Sequence, residues 1–297
     1  MSHTPVLLNK VLEVLSPEPG SFVIDGTVDG GGHAEKIIKA IGPKGTFLGL
    51  DLDNELLEKT RARFKEAKAK VILINDNYAN LPNILKDRHL GKANGLLLDL
   101  GFSSEQLEDS GRGFSFTRNE PLLMSYKSSG VTAAEVVNGL EEKKLAEIFW
   151  LYGEERFSRQ IAKHIIEARR HKKIITTFDL VEIIKNAVPK FYEHGRLHPA
   201  TRVFQALRIY INQELNNLEE ILKNLTNILK PDAVVAIISF HSLEDRLVKN
   251  YFKEMDKEGT IKIITKKPIV AGVDEVRLNP RSRSAKLRAG IIKIHKY

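Results

Sequence analysis

The sequence predicts a doubly wound α/β fold: a seven-stranded, Rossmann-like sheet interrupted by an inserted α-helical domain. Three observations carry this. A strand, a glycine turn and a helix follow one another in Phe22-Val-Ile-Asp-Gly-Thr-Val-Asp-Gly-Gly-Gly-His33 and Ala34-Glu-Lys-Ile-Ile-Lys39. Short, continuous apolar runs recur along the chain, as in strands covered on both faces of a parallel sheet. Finally, roughly 130 residues separate the fourth run from the fifth, far more than one crossover needs.

The runs define the strands in order. Phe22 to Asp25 comes first, then Thr46-Phe-Leu-Gly-Leu-Asp51 and Val71-Ile-Leu-Ile-Asn75. The fourth is Gly95-Leu-Leu-Leu-Asp-Leu-Gly101 and the fifth Ala233-Val-Val-Ala-Ile-Ile-Ser-Phe240. Thr260 to Thr265 and Gly290 to His295 close the chain as edge strands. Between the fourth and fifth, apolar residues recur at helical spacing over 133–138, 141–152, 155–170 and 177–185. A further helix is expected over 199–225. The sheet domain is thus expected over 1–128 and 205–297, and the helical insert, as a substrate-recognition domain, over 129–204.

Composition narrows the function classes. The chain has 297 residues and no cysteine, so disulfides and thiolate metal sites are excluded. No apolar run reaches the roughly 20 residues of a membrane span, and the N-terminus lacks the plan of a signal peptide. A cytoplasmic protein with no membrane partner is expected. The net charge of +8 favours a polyanionic partner. No metal-ligand spacing is visible.

The acids at strand ends are the chemical signal. Asp51 ends the second strand about 20 residues beyond the glycine turn, where a carboxylate can hold both hydroxyls of a ribose. Asp53 suits the cap of the following helix and frees Asp51 for that role. NAD and S-adenosylmethionine both satisfy the pattern, but the turn departs from the G-x-G-x-x-G spacing of NAD sites. An acid at the end of the first strand, Asp25, is more typical of methyltransferases and can sit near a cationic cofactor. Asp99 ends the fourth strand beside the topological switch point and can accept a hydrogen bond from a substrate amino group. Phe102 follows it as a stacking candidate. At the end of the fifth strand, Phe240 and His241 can hold an extruded base or move a proton. The bland alternative there is a helix start capped by Ser242 with Asp245.

Basic residues supply candidate nucleic-acid contacts. Arg202, Gln205, Arg208 and Asn212 fall on one arc of the 199–225 helix, facing RNA or a domain cleft, with a solvated face as the bland alternative. Arg281, Arg283, Lys286 and Arg288 crowd a short C-terminal stretch and suit phosphate. Arg169-Arg-His-Lys-Lys173 forms a second patch, read as a surface charge run.

Several long motifs stand in a fixed order. They are Asp99-Leu-Gly-Phe-Ser-Ser104, Arg112-Gly-Phe-Ser-Phe116, Tyr152-Gly-Glu-Glu-Arg-Phe157, His198-Pro-Ala-Thr-Arg-Val-Phe-Gln-Ala-Leu-Arg208, Ser239-Phe-His-Ser-Leu-Glu-Asp-Arg246 and Asn279-Pro-Arg-Ser-Arg-Ser284. On these the chain resembles the bacterial small-subunit ribosomal RNA cytosine-N4 methyltransferases, over nearly its whole length. The resemblance implies S-adenosylmethionine as methyl donor and a cytidine in the decoding region of 16S-type rRNA, free or in a 30S-type particle, as substrate. It places Gly31, Gly32 and His33 in the cofactor turn, Asp51 on the ribose and Tyr78 against the adenine. Asp99 and Gln106 complete the pocket. Asp99, His241, Phe102 and Phe240 are the catalytic candidates, and Arg202, Gln205, Arg208, Arg281, Arg283, Lys286 and Arg288 the RNA-binding ones. Two segments depart from the family pattern: Asp29 stands where glycine is usual, and Pro121-Leu-Leu-Met-Ser-Tyr-Lys127 replaces Pro-Leu-Asp-Met-Arg-Met-Asp. The alternatives are a non-catalytic rRNA-binding assembly factor that kept the fold and an NAD-dependent oxidoreductase. Oligomeric state is open, a homodimer being one option.

Overall fold

A computed structural model describes residues 5–101, 110–127, 130–193 and 197–293. Two compact units divide the chain. One comprises 1–102 and 215–297, the other 103–214.

The helices in chain order are α1 (Leu8–Leu15), α2 (Gly32–Ile41), α3 (Asn54–Arg63), α4 (Leu81–Asp87), α5 (Ala133–Gly139), α6 (Glu142–Gly153), α7 (Ser158–Arg169), α8 (Thr177–Ala187), α9 (Lys190–Glu193), α10 (Ala200–Asn212), α11 (Glu214–Lys223), α12 (Leu225–Ile228), α13 (Ser242–Lys257) and α14 (Val273–Leu278). The strands are β1 (Phe22–Asp25), β2 (Thr46–Asp51), β3 (Lys70–Asn75), β4 (Ala93–Asp99), β5 (Leu229–Ser239), β6 (Ile261–Ile263), β7 (Ile269–Val270) and β8 (Lys286–Ile292). They form one sheet in the order β3-β2-β1-β4-β5-β8-β6, with β7 paired to β8 beside this path. The first five strands are parallel, and β8 runs antiparallel to β5, β6 and β7. Seven strands on the path answer to the seven expected, but the last lies at 286–292 rather than 290–295 and is no edge strand, since β8 sits between β5 and β6. The two-residue β7 is an addition too short for periodicity to reveal.

Alternate side chains of each strand enter opposite cores. Ile24, Leu48, Leu96 and Leu98 face a cluster with Leu81, Leu218, Val248 and Phe252. Val23, Phe47, Leu97 and Ala236 face the other, with Val11, Ile37 and Leu57. Each fully buried aliphatic side chain contributes about 1.5–3 kcal/mol, which explains strands without polar alternation.

The helical unit differs from the sequence expectation in its bounds. It begins at Ser103 and ends at Glu214, rather than spanning 129–204. Residues around 121 pack within it: Pro121 bridges Thr176, the Leu122 N–H donates to the Ile175 carbonyl at 2.9 Å, and Leu122 and Met124 are buried. The expected 199–225 helix is three. Gln213 adopts a left-handed conformation, φ 53°, and ends α10, while α11 and α12 follow separately. Nothing in the side-chain pattern announces that break. Among the described residues, no helix is long and apolar enough to cross a membrane.

Candidate active site at the carboxyl edge of the sheet

Parallel strands end their chains on one edge, so Asp25, Asp51 and Asp99 gather there, flanking the β1–β4 switch point. The turn after β1 is held from three sides. The Asp51 Oδ2 atom accepts the Asp29 N–H and Oδ1 the Asp53 N–H, each at 2.8 Å. The Thr60 hydroxyl donates to the Asp29 carbonyl at 2.8 Å, and Arg63 to the Gly30 carbonyl at 2.7 Å. Asp53 caps α3, accepting from Glu55 and Leu56, so the division of labour between the two acids holds. Asp29 sits at φ 49°, the region glycine occupies without cost, which accounts for the glycine usual there.

Burial governs the charges. Asp25 is pushed up to about 7, by burial first, against its Thr27 N–H bond, and with Asp99 and Asp51 nearby adding to the rise. Asp51 is pushed up to about 6, again by burial. His33 is pushed down to about 4 by burial and is therefore neutral at pH 7. Its Nε2 donates to the Val6 carbonyl at 2.9 Å, which leaves Nδ1 an acceptor, 3.7 Å from Asp99 Oδ2. Gly31 lies against Thr60 and Phe64, and Gly32 against Pro5. Tyr78 opens a short 3₁₀ turn capped by Asn77 and crosses beside Gly26, where a Cβ would stand 2.5 Å from Leu98 and 3.0 Å from the Tyr78 Cβ.

Asp99 ends β4 as expected. Its N–H donates to the Thr27 hydroxyl at 2.7 Å, and its Oδ1 accepts the Gly101 N–H at 3.1 Å. The Phe240 ring lies directly over Gly101: a Cβ there would stand 2.7 Å from the ring and 3.1 Å from Asp99 Oδ1. Phe240 and Asp99 are therefore neighbours, with only a glycine between them. Phe102 and Gln106 lie outside the described residues.

His241 corrects the expected cap. It caps α13 itself, its Nδ1 accepting the Glu244 N–H at 3.3 Å, while Glu244 reaches back to the Phe240 and His241 N–H groups at 2.8 and 3.3 Å. Ser242 and Asp245 do not form the box. A histidine in the usual place of Ser or Asp hides the signal. Asp245 instead accepts from Arg288 at 2.7 Å and Lys286 at 3.2 Å. Arg288 is 8% exposed, so its guanidinium serves the fold and is not presented as a phosphate contact. Arg283 is exposed and Arg281 half-buried.

The α10 arc is likewise employed inside its own unit. Arg202 donates to the Glu154 carbonyl and Gln205 to the Tyr152 carbonyl at 3.1 Å. Arg208 makes a bidentate pair with Glu214 at 2.8 and 2.9 Å, and Asn212 accepts the Tyr126 N–H at 2.9 Å. The arc is thus not a plain solvated face: Arg202 and Gln205 hold carbonyls at the end of α6, and Asn212 holds the backbone of Met124 and Tyr126. The altered segment contributes: the Tyr126 hydroxyl donates to Glu214 at 2.9 Å.

A mostly parallel sheet, a pinned glycine turn and acids at the ends of β1, β2 and β4 fit a nucleoside-cofactor enzyme of the methyltransferase class. The profile of the MraW methylase family matches residues 1–293, and the chain belongs to that family. The proteins named ribosomal RNA small subunit methyltransferase H are 43% identical in Syntrophotalea carbinolica, covering 97% of this chain and 96% of that protein. The protein of that name from Geobacter sp. (strain M21) is 45% identical, covering 96% and 97%. Fibrillarin from Aeropyrum pernix, crystallised with S-adenosyl-L-methionine, aligns with a TM-score of 0.43 at 11% identity over 95% of this chain and 71% of that one. Membership in this family sets aside the nicotinamide alternative.

The cofactor of this family is S-adenosylmethionine, and the residues present fit it. The buried Asp25 Oδ2 has no hydrogen-bond partner among the described residues. Asp99 and Asp51 both stand close enough to Asp25 to oppose its charge. A ligand bearing positive charge and hydroxyl donors supplies what this edge lacks.

Proposed function

We propose that this chain methylates the N4 amine of a cytidine in the decoding region of small-subunit ribosomal RNA. S-adenosylmethionine, when bound, supplies the electrophilic methyl group. The observation that carries the reading is Asp99, anchored at the end of β4 by Thr27 and set beside the Phe240 ring. The names of the full-length relatives support small-subunit rRNA as the substrate.

The chemistry follows from the amine. Its lone pair is delocalised into the cytosine ring, so placement supplies most of the rate. Asp99 accepts a hydrogen bond from the amine, which turns the lone pair outward, offsets positive charge as it develops and gives an acceptor to the N4 proton that the methyl group displaces. Phe240 stacks on the extruded base beside it. His33, neutral and fixed by Val6, keeps an acceptor toward Asp99 without adding charge. Asp51 holds the ribose hydroxyls, its carboxylate oriented by two backbone N–H groups. His241 is held beside Phe240 in the chain by its capping of α13, and Glu244 accepts the backbone N–H of both.

Incubation with unmodified small subunits and labelled cofactor, followed by nucleoside mass spectrometry, tests the reading. N4-methylated cytidine is expected. Cofactor binding with RNA binding and no methylated nucleoside would assign the chain to the non-catalytic assembly factors.

A further inference from the structure

The Tyr152-Gly-Glu-Glu-Arg-Phe157 motif lies in the helical unit and has no part in the chemistry above. At its centre Glu155 is fully buried, accepting the Phe157 N–H and the Tyr192 hydroxyl, each at 2.8 Å. This fixes the corner between α6 and α7 and brings α9 onto it. The Arg156 guanidinium then lies 4.9 Å from the ring centres of Phe157 and Tyr192, which meet edge to face, and 5.9 Å from that of Phe191. Beside it opens a groove of about 860 Å³ lined by Lys143, Glu147, Trp150, Arg156, Phe157 and Arg159, with Glu142 at its rim.

Three features of this groove call for a partner. Trp150, in its lining, is 59% exposed, a large indole surface left in water. Arg156 and Arg159 are exposed, and neither forms an ion pair among the described residues. Of the two acids, Glu147 is already engaged by Lys144 at 3.0 Å, so the open charge is positive. A guanidinium stacked on rings keeps its N–H edges for a phosphate, and an exposed indole takes a base of any identity.

We propose that this groove binds an unpaired nucleotide of the substrate RNA, its base on Trp150 and its phosphate on Arg156 and Arg159. The proposal rests on the rRNA-methyltransferase reading and places a second RNA contact on the helical unit, apart from the reacting cytidine.

Trp150 is the sole tryptophan of the chain, so its fluorescence reports on this groove alone. The full-length protein is titrated with a short oligouridylate while anisotropy of the labelled RNA is followed, and methyl transfer to small subunits is measured on the same preparation. Saturable quenching is expected. Trp150→Ala, soluble and melting like the parent because the side chain is mostly exposed, weakens RNA binding about tenfold. Trp150→Phe recovers most of the loss. Arg156→Gln with Arg159→Gln lowers the slope of log affinity against log salt by about 0.7, the share of one phosphate on a single strand. RNA binding with unchanged tryptophan emission, or with Trp150→Ala at parental affinity, would overturn the proposal while methyl transfer keeps the function intact. Quenching by polyglutamate and not by RNA would overturn it in favour of an acidic protein. Loss of both RNA binding and methyl transfer in the parent would remove the functional reading itself.

Discussion

The Thr27 hydroxyl accepts the Asp99 N–H at 2.7 Å, joining the turn after β1 to the end of β4 across the switch point. The same oxygen lies 3.4 Å from Asp25 Oδ1, to which it can donate. One small side chain thus positions the backbone of the proposed amine acceptor and orients the buried acid behind it.

Thr27→Val keeps the shape and removes both bonds. The Asp99 N–H then lies half-buried without its acceptor, at a cost of about 1–3 kcal/mol. Urea unfolding should show that loss. Single-turnover methyl transfer should fall more than tenfold while the cofactor dissociation constant moves less. An unchanged turnover would remove Thr27 from the positioning of Asp99.

Cofactor binding should depend on pH with a definite sign. Asp25, at about 7, and Asp51, at about 6, both lie above the ordinary 3.8, so the folded chain holds protons that the unfolded chain has released. The contribution of these acids to stability therefore falls as pH rises from about 4 to about 7 and is constant above. A cationic ligand favours their charged forms, so its affinity rises across the same window and binding releases protons. Calorimetry in two buffers of different ionisation enthalpy measures that release. Affinity that is flat from about pH 5 to about pH 7.5, with no proton release, would contradict the assignment.

Asp245→Ala should destabilise the sheet domain. Burial opposes the charge of Asp245, yet Arg288 and then Lys286 hold its carboxyl below the usual range. Removing it leaves the Arg288 guanidinium buried without its carboxylate, a loss of about 3 kcal/mol. The denaturant midpoint checks this. Arg288→Met with Asp245→Leu should recover part of the loss, because an apolar pair needs no compensating charge.

The sheet was legible because each buried strand leaves an unbroken apolar run, and the acids were legible because they stand where those runs stop. Asp25, Asp51, Asp53 and Asp99 needed no tertiary knowledge. What escaped depended on partners distant in sequence. Arg288 reads as a free cation until Asp245, 43 positions earlier, is seen beside it. The α10 arc reads as a polar face until Tyr126 and the carbonyls of Tyr152 and Glu154 close over it. The Val6 carbonyl accepts the His33 Nε2–H from 27 positions earlier in the chain. The break at Gln213 is a backbone event that side-chain periodicity does not record.

The most direct test is single-turnover methyl transfer to unmodified small subunits by the parent and by Asp99→Ala, with nucleoside mass spectrometry of the product and a melting curve for each protein. The parent should yield N4-methylated cytidine. The variant should melt within a few degrees of the parent and yield none. Near-parental turnover by Asp99→Ala, or a parent product methylated at any atom other than N4, would contradict Asp99 as the acceptor of the reacting amine.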